Sequence, residues 1–340
     1  MHPIKNILVA IKALDARSMP ALRKAVQLAK ANGASLELFH ALSQTVLIEA
    51  LDARKISLRE FEAEQSAKAL KRLNTIAQRV RKHDVEVSCA VEWDYPASEA
   101  IVRRALKTRC DLIVAERHAS RHVAGWLLAY TDWELLRQAP CPVLLVKTSK
   151  PYHRPTVLTA VDPFHEHAKP ARLDDALLAM SATLATGLKG SLRIVHCVPS
   201  ATLVAAGWAS GPIVVDTGKT SQRLTQARKA LAAEVARHPL PSHKLAVLEG
   251  APRETLPQAA RDYKASLVVM GAMSRRLRSV IGWRLARSSR ASASASCSSP
   301  SKEARSSFTT SRCWRTGGWW ASPPLAQKAF ALDSRWRLRW

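Results

Sequence analysis

Between Leu267 and Gly282 the chain reads LVVMGAMSRRLRSVIG. The apolar run Leu267–Met270 has the length and composition of a buried strand, and it meets Gly271 where a loop opens. Gly282 closes that loop, and Ser274, Arg275, Arg276, Arg278 and Ser279 lie between the two glycines. A glycine at a strand tip lets the backbone come close to an anion, whose oxygens the loop N–H groups cradle while Arg and Ser add charge and hydrogen bonds. The chemistry on offer is binding of a phosphate or a related anion. An ordinary surface turn also contains such residues, so the elements around the loop must decide.

Other chemistry-bearing groups read more blandly. His165-Glu166-His167 places two imidazoles around an acid, but ligands at i and i+2 in a loop need further partners, and none is evident in the sequence. No metal ligand set is therefore assigned. His40 and His196 recur at the ends of two similar apolar runs and read as satisfied polar ends of buried strands. Arg109 and Asp111 look like surface turn residues. The six cysteines (89, 110, 141, 197, 297 and 313) show no CxxC spacing and read as buried thiols of a reducing compartment. No Ser-His-Asp arrangement, carboxylate pair at fixed spacing or full Walker loop stands out, so the chain is read as non-enzymatic.

The length of 340 residues suffices for two domains with full cores, and an apolar fraction of 47% suits a globular protein. Runs long enough to cross a membrane are absent from the sequence, and the opening MHPIKNILVAIK lacks the flanks of a signal peptide, so a cytoplasmic location is expected. The net charge of +25 raises nucleic acid or an anionic surface as an alternative partner. The stretch 283–340 holds 11 Lys+Arg against 2 acids, which leaves +16 for the stretch 1–282. That excess is dispersed over helix faces (Arg23, Lys24, Lys30; Lys68, Lys71, Arg72; Arg223, Arg228, Lys229) and reads as solvated charge.

The elements that would position the loop form a repeat. Ile4–Ile11 is an apolar run, and Pro20–Lys30 has helical spacing that Asn32-Gly33 stops. Strand-like Ser35–Ala41, a long helix over Ser57–His83, a strand over Asp84–Val91, a helix over Ser98–Lys107 and a buried strand at Asp111–Ala115 follow. Thr131–Arg137 looks helical, and Pro142–Val146 is a last strand. Alternation of strand and helix implies a parallel sheet covered on both faces. The order then restarts in the second half of the chain: VLTAVD (157–162) repeats ILVAIK (7–12), and GSLRIVH (190–196) repeats ASLELFH (34–40), with the His in register. Helices over Arg172–Leu188 and Leu224–Val235, a strand over Lys244–Glu249, and Ser266–Met270 against Asp111–Ala115 complete the second copy. Lys150-Pro151-Tyr152 is the joint.

After Gly282 the repeat stops. Where a helix and a strand should recur, the chain reads WRLARSSRASASASCSSPSKEARSS, and six of the ten Trp fall between positions 283 and 340. This composition reads as a basic, disordered tail of frameshifted origin with no strand of its own.

A tandem of five-strand α/β domains with these landmarks resembles the universal stress protein family, and within it the two-domain E type. The resemblance rests on ILVAIK and VLTAVD, on His40 and His196, on DLIVAERH and SLVVMGAMSR, and on Thr131-Asp132-Trp133-Glu134-Leu135-Leu136-Arg137 before Pro140-Cys141-Pro142-Val143. It implies two doubly wound parallel-sheet domains of the adenine nucleotide alpha hydrolase-like fold, with strand order 3-2-1-4-5 and the second truncated. The expected bounds are 1–149 for the first domain, 153–282 for the second and 283–340 for the tail. The resemblance also implies a role in the stress response and an adenine nucleotide such as ATP, accompanied by Mg2+ only if ATP binds. Carried over residue by residue, the nucleotide site would comprise Ala160, Val161, Asp162, Val198, Gly271, Ala272, Ser274, Arg275 and Gly282. In the first domain Lys12 stands in the Asp position and Glu116 follows the fourth strand, which implies a non-binding copy. Self-pairing through fifth strands, as a domain pseudo-dimer or a homodimer, is implied, and the second domain lacks its fifth strand. Alternatives are a basic nucleic-acid or anionic-surface binder using the Arg-rich tail, and a weak ATPase or autophosphorylating protein.

Overall fold

Two successive runs of alternating strands and helices build the protein. In the computed structural model, residues 3–42, 57–117, 125–164, 173–198, 217–271 and 329–333 are described, the side chains of 125–131, 217–220 and 329–333 excepted. The chain divides into two units, residues 1–273 with 326–340 and residues 274–325, and every described residue belongs to the first. The first run comprises β1 (Asn6–Ala10), α1 (Pro20–Asn32), β2 (Ser35–Leu42), α2 (Leu58–Arg81), β3 (Val87–Trp93), α3 (Ala97–Thr108), β4 (Leu112–Glu116), α4 (Gly125–Gln138) and β5 (Val143–Val146). The second comprises β6 (Thr156–Ala160), α5 (Leu173–Gly187), β7 (Ser191–Val198), α6 (Thr217–Ala236), β8 (His243–Glu249), α7 (Pro252–Asp262) and β9 (Ala265–Gly271), with β10 (Ala329–Asp333) far downstream.

Local sequence explains the element ends. Proline opens α1, and Gly33 closes it at φ 64°, donating its N–H to Ala29 O. Ser57 and Glu60 form a reciprocal capping box at the start of α2. The Ser57 backbone N–H and hydroxyl hold the Glu60 carboxyl below its ordinary range. Asp111, expected as a mere turn residue, anchors the start of β1: its Oδ2 accepts the N–H groups of Lys5 (2.8 Å) and Asn6 (2.9 Å).

The first domain pairs β3-β2-β1-β4-β5 and the second β9-β6-β7-β8, all in parallel within each domain. The parallel pairing is what the alternation predicts, and the orders 3-2-1-4-5 and, one strand shorter, 4-1-2-3 are those that the resemblance implies. One core cluster runs along a single face of both domains, from Leu28 and Leu36 to Leu178, Leu184 and Leu192. Separate clusters fill the other faces, around Phe39 and Ile113 in the first domain and around Leu158 and Val268 in the second.

The joint is held by α1. Gln27 donates from Nε2 to Tyr152 O at 2.5 Å and accepts the Tyr152 N–H at 2.8 Å. Lys24, read from sequence as solvated charge, is only 3% exposed and places its ammonium 3.3 Å from the centroid of the Tyr152 ring. The aromatic face supplies part of the negative potential that water would otherwise provide to the buried cation. Helical periodicity alone cannot reveal this, since the covering ring belongs to the joint between the domains, far along the chain.

The sequence reading places no strand after Gly282; the structure places β10 there, between β5 and β9. It runs parallel to β5, with Phe330 opposite Val143, and antiparallel to β9, with Phe330 opposite Met270. The sheet therefore continues through ten strands, and one of its junctions is antiparallel rather than parallel throughout. The expected bare edge of β5 is paired in this arrangement. A short run in an Arg/Ser/Trp context carries almost no strand signal; two open edges with unpaired N–H and C=O groups select it. Deleting residues 326–340 is expected to uncover both edges and drive self-association. Light scattering behind a sizing column should shift from the mass of the full chain's own species to larger ones at micromolar concentration. An unchanged assembly state would show that the edges need no cover.

Candidate functional site

The carboxyl ends of β9, β6 and β7 lie side by side in that order. In open α/β sheets this rim, at the point where strand order reverses, is where ligands sit. Thr159 of β6 is in register with Val269 of β9, and Ala160 with Val195 of β7. Asp162 follows Thr159 by three positions, Gly271 follows Val269 by two, and Val198 follows Val195 by three, so the fold brings these predicted residues to one rim. Ala160 ends β6, Val161 is 5% exposed and Val198 is 8% exposed. Ala272, Ser274, Arg275 and Gly282 lie outside the described residues, as do His165, Glu166 and His167.

Hydrogen bonds fix the β6 end. Val161 donates its N–H to Val195 O at 3.0 Å, and His196 Nδ1 lies 3.0 Å from Val161 O. His40 does the same in the first domain, with Nδ1 2.7 Å from Ile11 O. The two histidines thus lock the turn that leaves the first strand of each domain, as their repetition predicts. Phe164 packs against the His196 ring at 5.6 Å between centroids. The Asp162 N–H donates to Asp174 Oδ2 at 3.2 Å. Asp174 is 2% exposed, sits in the first turn of α5, and escaped the sequence reading. The only signal for it was an acidic pair, Asp174-Asp175, opening an otherwise apolar helix.

Gly271 has a packing reason of its own. A Cβ there would stand 2.8 Å from Leu173 Cδ2 and 3.9 Å from Leu177 Cδ1, so the glycine lets the first turn of α5 close over the tip of β9. Sequence reasoning assigned this glycine to the approach of an anion; in the structure it is an α5 side chain that comes close. Two thiols, one in each domain, are quiet. Burial pushes the Cys197 thiol above its ordinary range against a weaker opposing hydrogen bond from Thr255, and burial does the same for Cys89. Both remain protonated at neutral pH and are poor nucleophiles.

The equivalent rim of the first domain carries its own charges. Glu116, in the position of Gly271, accepts the Ala21 N–H of the first turn of α1 at 3.4 Å. That turn has no acidic residue and no side-chain cap, so Glu116 supplies the anion that a helix N-terminus favours. Lys12, in the position of Asp162, is pulled below its ordinary range by burial, while Asp132 and Glu116 oppose that shift. An open cleft of about 640 Å³ lined by Lys5, Asn6, Asn32, Gly33, Ser35 and Thr183 lies at the amino ends of β1 and β2, away from either rim.

Comparison with known proteins agrees with the repeat. The profile of the universal stress protein family matches residues 3–147 and again 155–291. Universal stress protein E of Photorhabdus laumondii is 25% identical over 282 residues, covering 81% of this chain and 87% of that protein. The universal stress protein E homolog of Haemophilus influenzae is 27% identical over 198 residues, and the match spans 56% of this chain and 62% of that relative. Among solved structures, a universal stress protein of Pseudomonas aeruginosa superposes with a TM-score of 0.59 at 23% identity, covering 81% of this chain and 85% of that one. Two family matches in tandem, laid over two parallel-sheet domains with the same rim, establish that the chain belongs to the universal stress protein family.

Proposed function

We propose that this protein is a non-enzymatic, cytoplasmic stress-response protein whose second domain binds an adenine nucleotide, with the first domain a structural copy. One contrast carries the reading. At equivalent rims the first domain has Lys12 and a Glu116 carboxylate on a helix N-terminus, whereas the second has Asp162 and Gly271. A carboxylate at that position repels phosphate, and a glycine there adds no charge that would. Asp162 would hold the ribose or the base edge, and Val161 and Val198 would line the base. Gly271, Ala272 and Ser274 would face the phosphates with Arg275 adding charge, and Gly282 would close the loop. Mg2+ enters only as a companion of ATP.

Calorimetric titration of the full chain with ATP tests this. Asp162→Ala is expected to weaken binding by about 10- to 100-fold, the worth of one or two hydrogen bonds to a charged group. Gly271→Glu, which copies the first domain, is expected to abolish binding. No heat with the parent chain, or affinities unchanged in both variants, would sink the proposal. The net charge of +25 supports the alternative of nucleic-acid or anionic-surface binding. RNA affinity that persists in residues 1–282 with a steep salt dependence would favour it over the nucleotide reading. Mg2+-dependent turnover or self-phosphorylation lost in Asp162→Ala would instead favour a weak ATPase.

A further inference from the structure

The second domain holds a cluster of metal-binding side chains away from the loop discussed above. Glu234 lies in the last turn of α6 and is 6% exposed. His238 follows just after the helix ends, its N–H bonded to Val235 O at 3.0 Å. The Glu234–His238 spacing of four puts both side chains on one face. Asp175, in the first turn of α5, comes from the neighbouring helix. His238 Nε2 is 3.1 Å from Asp175 Oδ1 and 4.0 Å from Glu234 Oε1, and the three ligand atoms all lie within 4.8 Å of one another.

From this geometry we infer that Asp175, Glu234 and His238 form a binding site for a borderline divalent transition metal ion of the Zn2+ class, which clips α5 to α6. Three observations lead there. First, the spacing fits. Four ligands at about 2.0–2.2 Å around a tetrahedral Zn2+ are separated by roughly 3.3–3.6 Å. The observed 3.1 and 4.0 Å bracket that range, so small side-chain shifts suffice. Second, His238 Nε2 is shielded from solvent yet makes no hydrogen bond of proper direction, although Asp175 is close. A ring nitrogen that faces two carboxylates, 3.1 Å from one of them but without the direction of a hydrogen bond, is placed as a metal ligand would be. Third, a carboxylate oxygen from each helix faces the imidazole: Arg237 pairs with Glu234 through Oε2, which leaves Oε1 directed at His238, and Asp175 Oδ1 approaches the same ring nitrogen.

The donor set decides the metal. An imidazole nitrogen with two carboxylate oxygens suits Zn2+, Co2+ or Ni2+, whereas Ca2+ and Mg2+ demand all-oxygen shells. Asp175 is the most open of the three, at 32% side-chain exposure, so solvent can supply a fourth ligand from its side. The position also touches the rim indirectly. Asp174, adjacent to Asp175, holds the Asp162 N–H, so an ion here would brace the turn from which Asp162 projects.

The full chain, stripped with a chelator and dialysed, is titrated with ZnCl2 by calorimetry and with CoCl2 by visible absorption. One equivalent of Zn2+, an intense tetrahedral Co2+ band and a raised unfolding midpoint with Zn2+ are expected. His238→Gln and, separately, Asp175→Asn should each weaken Zn2+ binding at least tenfold and bleach the Co2+ band. Circular dichroism establishes that each variant is folded, and Asp175→Asn, at a half-exposed position, serves if His238→Gln is not. The control His165→Ala/His167→Ala removes the other histidine pair and should leave binding unchanged. No binding at one equivalent, binding indifferent to both His238→Gln and Asp175→Asn, or binding lost only in the control would overturn the site.

Discussion

Tyr152→Ala is expected to lower the unfolding free energy by about 3–5 kcal/mol, the cost of emptying a buried aromatic site. Tyr152 is 4% exposed and touches the core that runs along one face of both domains. Its removal acts twice. A cavity opens at the joint, and the Lys24 ammonium, 3.3 Å above the ring centroid, loses the aromatic face that makes its burial tolerable. The backbone bonds from Gln27 to residue 152 do not depend on the side chain and should survive. Chemical denaturation measures the loss. A double-mutant cycle with Lys24→Met separates the two contributions: the cation–π part, about 1–2 kcal/mol for a desolvated pair, should vanish when Lys24 is already absent. A Tyr152→Ala loss smaller than about 1 kcal/mol, or a cycle with zero coupling, would refute this account of the joint.

Arg104→Ala is expected to cost about 3 kcal/mol, at the lower end for breaking a buried ion pair because the groups keep some solvent contact. On α3, Arg104 donates from Nε to Glu37 of β2 at 3.0 Å, pairs with the same carboxylate through Nη2, and reaches Glu92 of β3 at 3.4 Å. Side-chain exposures of 18% for Arg104 and 13% for Glu37 mean that the remaining carboxylate cannot recover full hydration. The hydrogen bond to Glu37 is the main reason that the guanidinium is held above its ordinary range, against the desolvation that opposes it. Since the penalty comes from the stranded carboxylate, Arg104→Met combined with Glu37→Leu should recover most of the stability. A double variant as unstable as Arg104→Ala would show that packing, not charge, sets the cost.

The legible part of this protein is the part written in short-range order. Short apolar runs, helix starts such as Pro20 and Ser57, and the stop at Gly33 are decided by neighbours in the chain, so the repeat and its parallel strand–helix alternation could be read from spacing, whereas the strand order followed only from the family resemblance. The paired histidines were legible for the same reason: one role recurred at one register position in both domains. That Asp162, Val198 and Gly271 reach one rim was legible as well, because each follows a strand whose place in the repeat was readable.

What the chain could not show by itself depends on groups distant in sequence. Lys24 looks like solvated charge until Tyr152 covers it, and Asp111 looks like a turn residue until β1 presents two N–H groups to it. That Gly271 also makes room for Leu173 of α5 shows only once the helix is packed on β9. The Asp175, Glu234 and His238 cluster joins positions far apart in the chain, contributed by separate helices, which no local motif encodes. Above all, β10 exists because two sheet edges stand open at the right separation. Backbone pairing there answers the two open edges, so a stretch that sequence dismissed as tail becomes the strand between the two domains.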